Sequence, residues 1–285
     1  MFEIFLFILA GVWILAASIE DLRKREVANW LNFSLVAFAL GYRAIYAVLQ
    51  NDSRYFTFGL AGWIVFILLG YGFYYSRIFA GGDAKLMMAL GAILPLSLNV
   101  NENILFGLGF IFLLMISGSF YGLVYSAFIG LSYFRKFLVN FKKEFRNHKF
   151  LTYICLSLAF LILIYVLISK EIFIIPLIIL AVFVPFLFFY AKAVESLMIV
   201  KIPANKATLG DWLARKFKFR KIEISPHWEG LNDEQLSLIR KSGKEIYVKQ
   251  GIPFVPAFLI AFILFILLFG KFGEISAIFL RVFGF

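Results

Sequence analysis

Asp21 and Asp83 are the side chains of this sequence best suited to chemistry. Asp21 closes an apolar run that begins at Ile4. Asp83 lies in Phe79-Ala80-Gly81-Gly82-Asp83-Ala84-Lys85-Leu86, between two stretches apolar enough to be buried in lipid. A carboxylate at the edge of a membrane span costs several kcal/mol, so an acid kept there is a functional candidate. Two carboxylates a few ångströms apart cannot both ionise, and the pair holds one proton between them. The ionised member can then deprotonate a water while the neutral member polarises a carbonyl, which is what amide hydrolysis requires. The proton belongs to the pair, because a coupled pair titrates as a unit. Taken singly, each residue also has a plainer reading: Asp21 as a solvated acid flanking a span, and Asp83 as a helix N-cap.

The elements that must position these acids are membrane helices. The 285-residue sequence is 62% hydrophobic and only 16% charged, against about 25% charged residues in a soluble domain. Its mean hydropathy is +0.91. The fold class expected is an all-α integral membrane protein, a polytopic helical bundle of about eight spans with a small cytoplasmic α+β module. A span needs about 20 apolar residues, and the candidates are 2–19, 30–50, 58–78, 84–99, 104–134, 153–169, 172–191 and 252–270. The tail 274–285 reads as an interfacial amphipathic piece.

Charge sets the topology. No Lys or Arg precedes the first run, whereas Arg23, Lys24 and Arg25 follow it. That polarity is wrong for a secretory signal and points to an uncleaved span with its N-terminus outside. Of the 28 Lys and Arg residues, 23 then fall in the cytoplasmic segments 20–29, 77–85, 135–152 and 192–251, and four in outer segments. The positive-inside rule accounts for the net charge of +11, so no nucleic-acid partner is expected; membrane lipids are. Both aspartates come out at the cytoplasmic face, in a multi-pass protein of the cell membrane. Arg43 is left inside the second span, to pair with an acid or to reach the outer interface.

Four segments follow: a membrane core over 1–134 carrying both aspartates, a basic cytoplasmic loop and additional hairpin over 135–191, a soluble module over 192–251, and a C-terminal span and tail over 252–285. In the module, Asn232-Asp233 followed by Glu234, Leu236, Leu238 and Ile239 reads as a capped amphipathic helix. Glu245-Ile246-Tyr247-Val248-Lys249 alternates as a strand does. The single Cys155 and the two histidines exclude an intrachain disulfide and a four-Cys zinc site and argue against a His-rich metal centre. No cofactor is expected.

Gly81 and Gly82, directly before Asp83, would let an extended chain lie close to the start of the fourth helix. The dipole of that helix would favour the Asp83 anion. Gly82-Asp83-Ala84-Lys85-Leu86 and Asp21-Leu22-Arg23-Lys24-Arg25-Glu26-Val27-Ala28-Asn29-Trp30-Leu31 resemble the two aspartate segments of the GxGD membrane aspartic proteases, in particular the archaeal preflagellin/prepilin peptidases. Gly251-Ile252-Pro253-Phe254-Val255-Pro256-Ala257-Phe258 is similar to the C-terminal part of archaeal members. The chain departs from the pattern at Ala80, where the first motif glycine is expected, and at Ala28, where relatives often have proline.

The resemblance implies an endopeptidase that removes the short basic leader of archaellin or type IV pilin-like precursors at the cytoplasmic face, with Asp21 and Asp83 as its two aspartates. A basic leader needs an acidic receiver. Glu20 and Glu26 are the candidates; Glu20 also reads as a plain surface charge. Lys85 either hydrogen-bonds near the aspartates or extends to the interface. Bacterial relatives carry a cysteine tetrad and an N-methylation activity; with one Cys, no methyltransferase is inferred here. Three competitors remain. A presenilin or signal-peptide-peptidase type of intramembrane protease has Tyr before its first aspartate, where Glu20 stands. A transporter using the two acids as ion sites usually shows paired repeats and mid-span acids. An inactive homologue acting in binding or assembly is kept open by Ala80.

Overall fold

The computed structural model describes residues 2–170, 172–219 and 222–269. Helices dominate, as the hydropathy requires, because a chain in lipid must satisfy its backbone groups internally. The chain divides into two units, residues 1–124 with 252–285, and residues 125–251.

The first unit holds α1 (Phe2–Lys24), α2 (Asn29–Leu49), α3 (Arg54–Tyr75), α4 (Gly81–Leu90) and most of α5 (Val100–Ser132). A further apolar helix in the same unit comes from the far end of the chain, over Val255–Phe269. It packs on α1, and its Phe262 and Phe265 meet Phe7 edge-on. Phe110 of α5 adds a fourth ring to that cluster.

Six of the eight apolar segments form helices long and apolar enough to cross a membrane. The fourth, 84–99, does not: α4 is only 10 residues long and the chain turns at Gly91. Its burial explains the apolar composition. Leu86, Met87, Leu90, Ala92, Ile93 and Leu94 are all buried, so the apolar side chains of the segment are covered by protein. α3 lies directly against it. A Cβ at Gly62 would come within 2.6 Å of the Gly91 carbonyl oxygen, so glycine is needed there for the two backbones to touch. The eighth segment is helical over 15 residues within the described part. The tail 274–285 lies outside the described residues.

The carbonyls that end α4 accept from the N–H groups of the turn that follows, but that turn is itself buried and its own carbonyls need donors. Arg43 supplies them, and it does so with no acid. Its Nε donates to Ala92 O at 2.7 Å and its Nη2 to Ile93 O at 2.9 Å. Nη2 also reaches Pro95 O, and Nη1 donates to Tyr55 O at 2.9 Å. The guanidinium is buried, with 1% of the residue exposed. It therefore neither pairs with a carboxylate nor reaches the outer interface. Gly59 leaves the space its side chain occupies; a Cβ there would fall on the Arg43 stem.

The second unit contains the end of α5, then α6 (Phe134–Asn147), α7 (Lys149–Ser169) and α8 (Ile175–Leu197). The stretch 135–152, read as a loop, is thus largely helical: its phenylalanines at 134, 137, 141 and 145 follow helical spacing. The soluble module continues from α8 with β1 (Ile199–Pro203), β2 (Trp212–Leu213), β3 (Phe217–Phe219) and β4 (Ile222–Ile224), then α9 (Asp233–Ser242) and β5 (Glu245–Lys249). β5 is central, antiparallel to both β1 and β2; β3 and β4 form a separate hairpin. Both expected elements are present. Asn232 caps α9, accepting from Gln235 N at 2.8 Å, and the Gln235 side chain closes the box. β5 alternates, burying Ile246 and Val248 against Leu213, Leu236 and Ile239.

Candidate functional site

Asp21 lies in the last turn of α1, where the helix dipole is unfavourable to an anion. The chain leaves that turn sharply, because Arg25 adopts a left-handed conformation with φ of 59°. The unfavourable position is offset from the other end of the sequence. The helix over Val255–Phe269, α10, starts at the Asp21 carboxylate, and Val255 N–H donates to its Oδ2 at 2.9 Å. The Phe254 N–H is a second backbone donor. Pro253 and Pro256 have no N–H to offer, so the donors concentrate on the two residues between them. These donors were not identified from the sequence. The paired prolines of the 251–258 run were the available signal.

Asp83 is the third residue of α4 and so stands inside the helix rather than at its N-cap, which is Ala80. The Ala80 N–H at the start of α4 favours the Asp83 anion. Asp21 and Asp83 are 6% and 8% exposed, two of only six polar or charged residues that are buried among the described ones. The charge on Asp21 acts directly on Asp83. Two buried acids thus come from the end of α1 and the start of α4, close enough for the charge of the first to act on the second, with α10 behind the first.

Gly81 and Gly82 open α4 with ordinary φ values. A Cβ at Gly81 would meet Tyr74 at 3.8 Å, and one at Gly82 would meet Val27 at 3.7 Å, both ordinary contacts. Neither glycine is demanded by the fold of the loop. Ala80 adopts φ −70° and ψ 164°, extended backbone open to any residue, so the alanine causes no strain.

Glu20 is half-buried and already engaged: its Oε2 accepts Ala28 N–H at 3.1 Å and its Oε1 lies 3.8 Å from Lys24 Nζ. Ala28 has φ −62°, the angle a proline ring would fix, but a proline could not make this hydrogen bond. Glu26 is exposed. Lys85 is exposed as well, and its Nζ donates to Asn29 Oδ1 at 2.7 Å, tying α4 to the start of α2.

Residues 8–134, which include both aspartates, match a protein-family model. The match is to the type IV leader peptidase family. Curated proteins similar to part of the chain include preflagellin peptidases of methanogens. That of Methanocaldococcus jannaschii is 36% identical over 89 residues, covering 31% of this chain and 38% of the relative. That of Methanococcus maripaludis is 27% identical over the same shares. That of Methanococcus voltae is 26% identical over 82 residues. The chain thus spans less than two-fifths of the length of the curated relatives it matches.

Proposed function

We propose that this chain is a membrane aspartic endopeptidase that cleaves the basic leader from archaellin or type IV pilin-like precursors at the cytoplasmic membrane face. One observation carries the reading: the only two buried carboxylates among the described residues come from α1 and α4, and the charge of Asp21 reaches Asp83. The leader-peptidase match over residues 8–134 and the preflagellin peptidase names of the relatives supply the substrate class.

In this mechanism the pair holds one proton at neutral pH, since like charges so close cannot both ionise. The ionised carboxylate takes a proton from a bound water, which attacks the scissile carbonyl carbon. The protonated carboxyl hydrogen-bonds the carbonyl oxygen as it gains negative charge. Collapse of the tetrahedral intermediate breaks the C–N bond, and the leaving amine takes up the proton gained from water. No covalent enzyme intermediate is formed. The backbone donors at Asp21 hold its carboxylate in place through this cycle. The apolar helix of the precursor stays in lipid while its leader enters from the cytoplasm.

The test is incubation of the purified protein with a panel of basic-leader precursors, with the cut position read by mass spectrometry. Cleavage at the junction of leader and hydrophobic helix supports the reading. No cut in any precursor, or cuts scattered through the hydrophobic helix, would count against it.

Glu20 and Glu26 serve as receivers of the leader's positive charge. Glu20→Gln keeps an acceptor for the Ala28 N–H while removing the charge, so the test is clean. Together with Glu26→Gln it is expected to raise KM for a basic-leader substrate about fivefold and to leave kcat near wild type, a loss typical of partly exposed charge contacts. An unchanged KM would remove both residues from substrate recognition.

A further inference from the structure

We infer that the junction of α6 with α8 and β1 is a binding site for the phosphate headgroup of an anionic lipid in the cytoplasmic leaflet. A cavity of about 570 Å³ opens there. Arg135, Lys136 and Lys201 line it, and among the described residues no carboxylate does. Lys201 is already paired with Glu245, whereas Lys136 lies over the Tyr133 ring, 5.8 Å from its centroid. The free positive charge of the cavity therefore sits on Arg135 and Lys136, adjacent residues at the start of α6.

The rest of the cavity is made for an amphiphile. Asn140 Nδ2 donates to Ser196 Oγ at 2.6 Å, which closes the gap between the helices. Val139 and Val200 give it apolar walls and are themselves exposed. α6 is held in place by an aromatic seam: Phe137 meets Tyr190 at 5.7 Å, Phe141 meets Phe186 at 5.4 Å and Phe145 meets Phe189 at 5.6 Å. None of its residues is fully buried, and Lys142, Lys143 and Arg146 complete a basic polar face. A helix of this kind lies at a membrane interface. The site also stands where the apolar span α8 ends, at Leu197, on the side that carries most of the chain's Lys and Arg. Depth, charge and the mixed lining all fit a lipid headgroup with its glycerol against the valines. The guanidinium of Arg135 suits bidentate contact with a phosphate.

The experiment is native mass spectrometry of the full chain with dioleoylphosphatidylglycerol or dioleoylphosphatidylcholine. The wild type is expected to retain phosphatidylglycerol preferentially. Replacing Arg135 and Lys136 together by Gln is expected to weaken that binding about 30-fold, which is ~2 kcal/mol for two cations at a membrane surface. Replacing Lys142 and Lys143 together by Gln removes the same charge from the same helix outside the cavity and is expected to change it less than threefold. Equal losses in the two double Gln variants would mean diffuse attraction and would overturn the site. So would equal retention of the two lipids. Displacement of bound phosphatidylglycerol by millimolar inorganic phosphate would assign the cavity to free phosphate and overturn the lipid assignment.

Discussion

Asp83→Asn and Asp21→Asn each lower the rate of precursor cleavage by about 10⁴-fold, while the protein stays folded. The size follows from loss of the acid–base pair, since positioned proton transfer contributes up to about 10⁴. Asparagine has nearly the shape of aspartate, and at residue 21 its amide oxygen can still accept the Val255 N–H. The fold therefore keeps its local partners, and the melting temperature is expected to stay within a few degrees of wild type. The double variant should be no slower than either single one, because the two residues act as one device. Single-turnover rates on one precursor, with melts of each variant, measure all of this. Activity above a few per cent in either variant, or losses that multiply in the double variant, would contradict a shared role.

Arg43→Met gives the largest loss of stability in the membrane core. The substitution removes the donor to the buried carbonyls of Ala92, Ile93 and Pro95 and to the part-buried carbonyl of Tyr55. A buried acceptor left unpaired costs about 1–3 kcal/mol, and relaxation recovers only part of that. A net loss of ~3–5 kcal/mol is expected, seen as a fall of roughly 10 °C or more in the melting temperature. Gly59→Ala should reproduce the defect by a different route, because the new methyl group occupies the Arg43 side-chain path. Both are expected to reduce cleavage indirectly, since the pinned residues continue from the helix that carries Asp83. A melting temperature unchanged in both variants would show that the carbonyls find other partners.

The two aspartates were legible in the sequence because their cost is local: an acid beside an apolar run stands out without any knowledge of the fold. The capped helix at Asn232 and the alternating strand at Glu245–Lys249 were legible for the same reason, as each carries its own signal. What stayed hidden depends on backbone atoms or on distant partners. Hydropathy does not distinguish burial in protein from burial in lipid, so the segment 84–99 reads as a span although α4 is a short helix enclosed by its neighbours. The partners of Arg43 are carbonyl groups, which every residue carries, so no residue type marks them in the sequence. The donors to Asp21 come from the other end of the chain, and a backbone N–H leaves no residue type to notice. In the basic stretch after α5 the helical spacing of the phenylalanines is masked by the many Lys and Arg residues between them.

The central claim is that Asp21 and Asp83 together hold a single proton at neutral pH. Infrared titration of the purified protein carrying ¹³C-labelled aspartate measures this directly. The other three aspartates stand outside the pair: Asp52, whose carboxyl the Arg54 guanidinium keeps below the usual range, Asp211 in a loop, and the exposed Asp233. One protonated aspartic carboxyl is expected at pH 7, and Asp21→Asn or Asp83→Asn should change the pH at which the remaining partner titrates. Two ionised carboxylates at pH 7, or a titration of either residue indifferent to replacement of the other, would contradict the account.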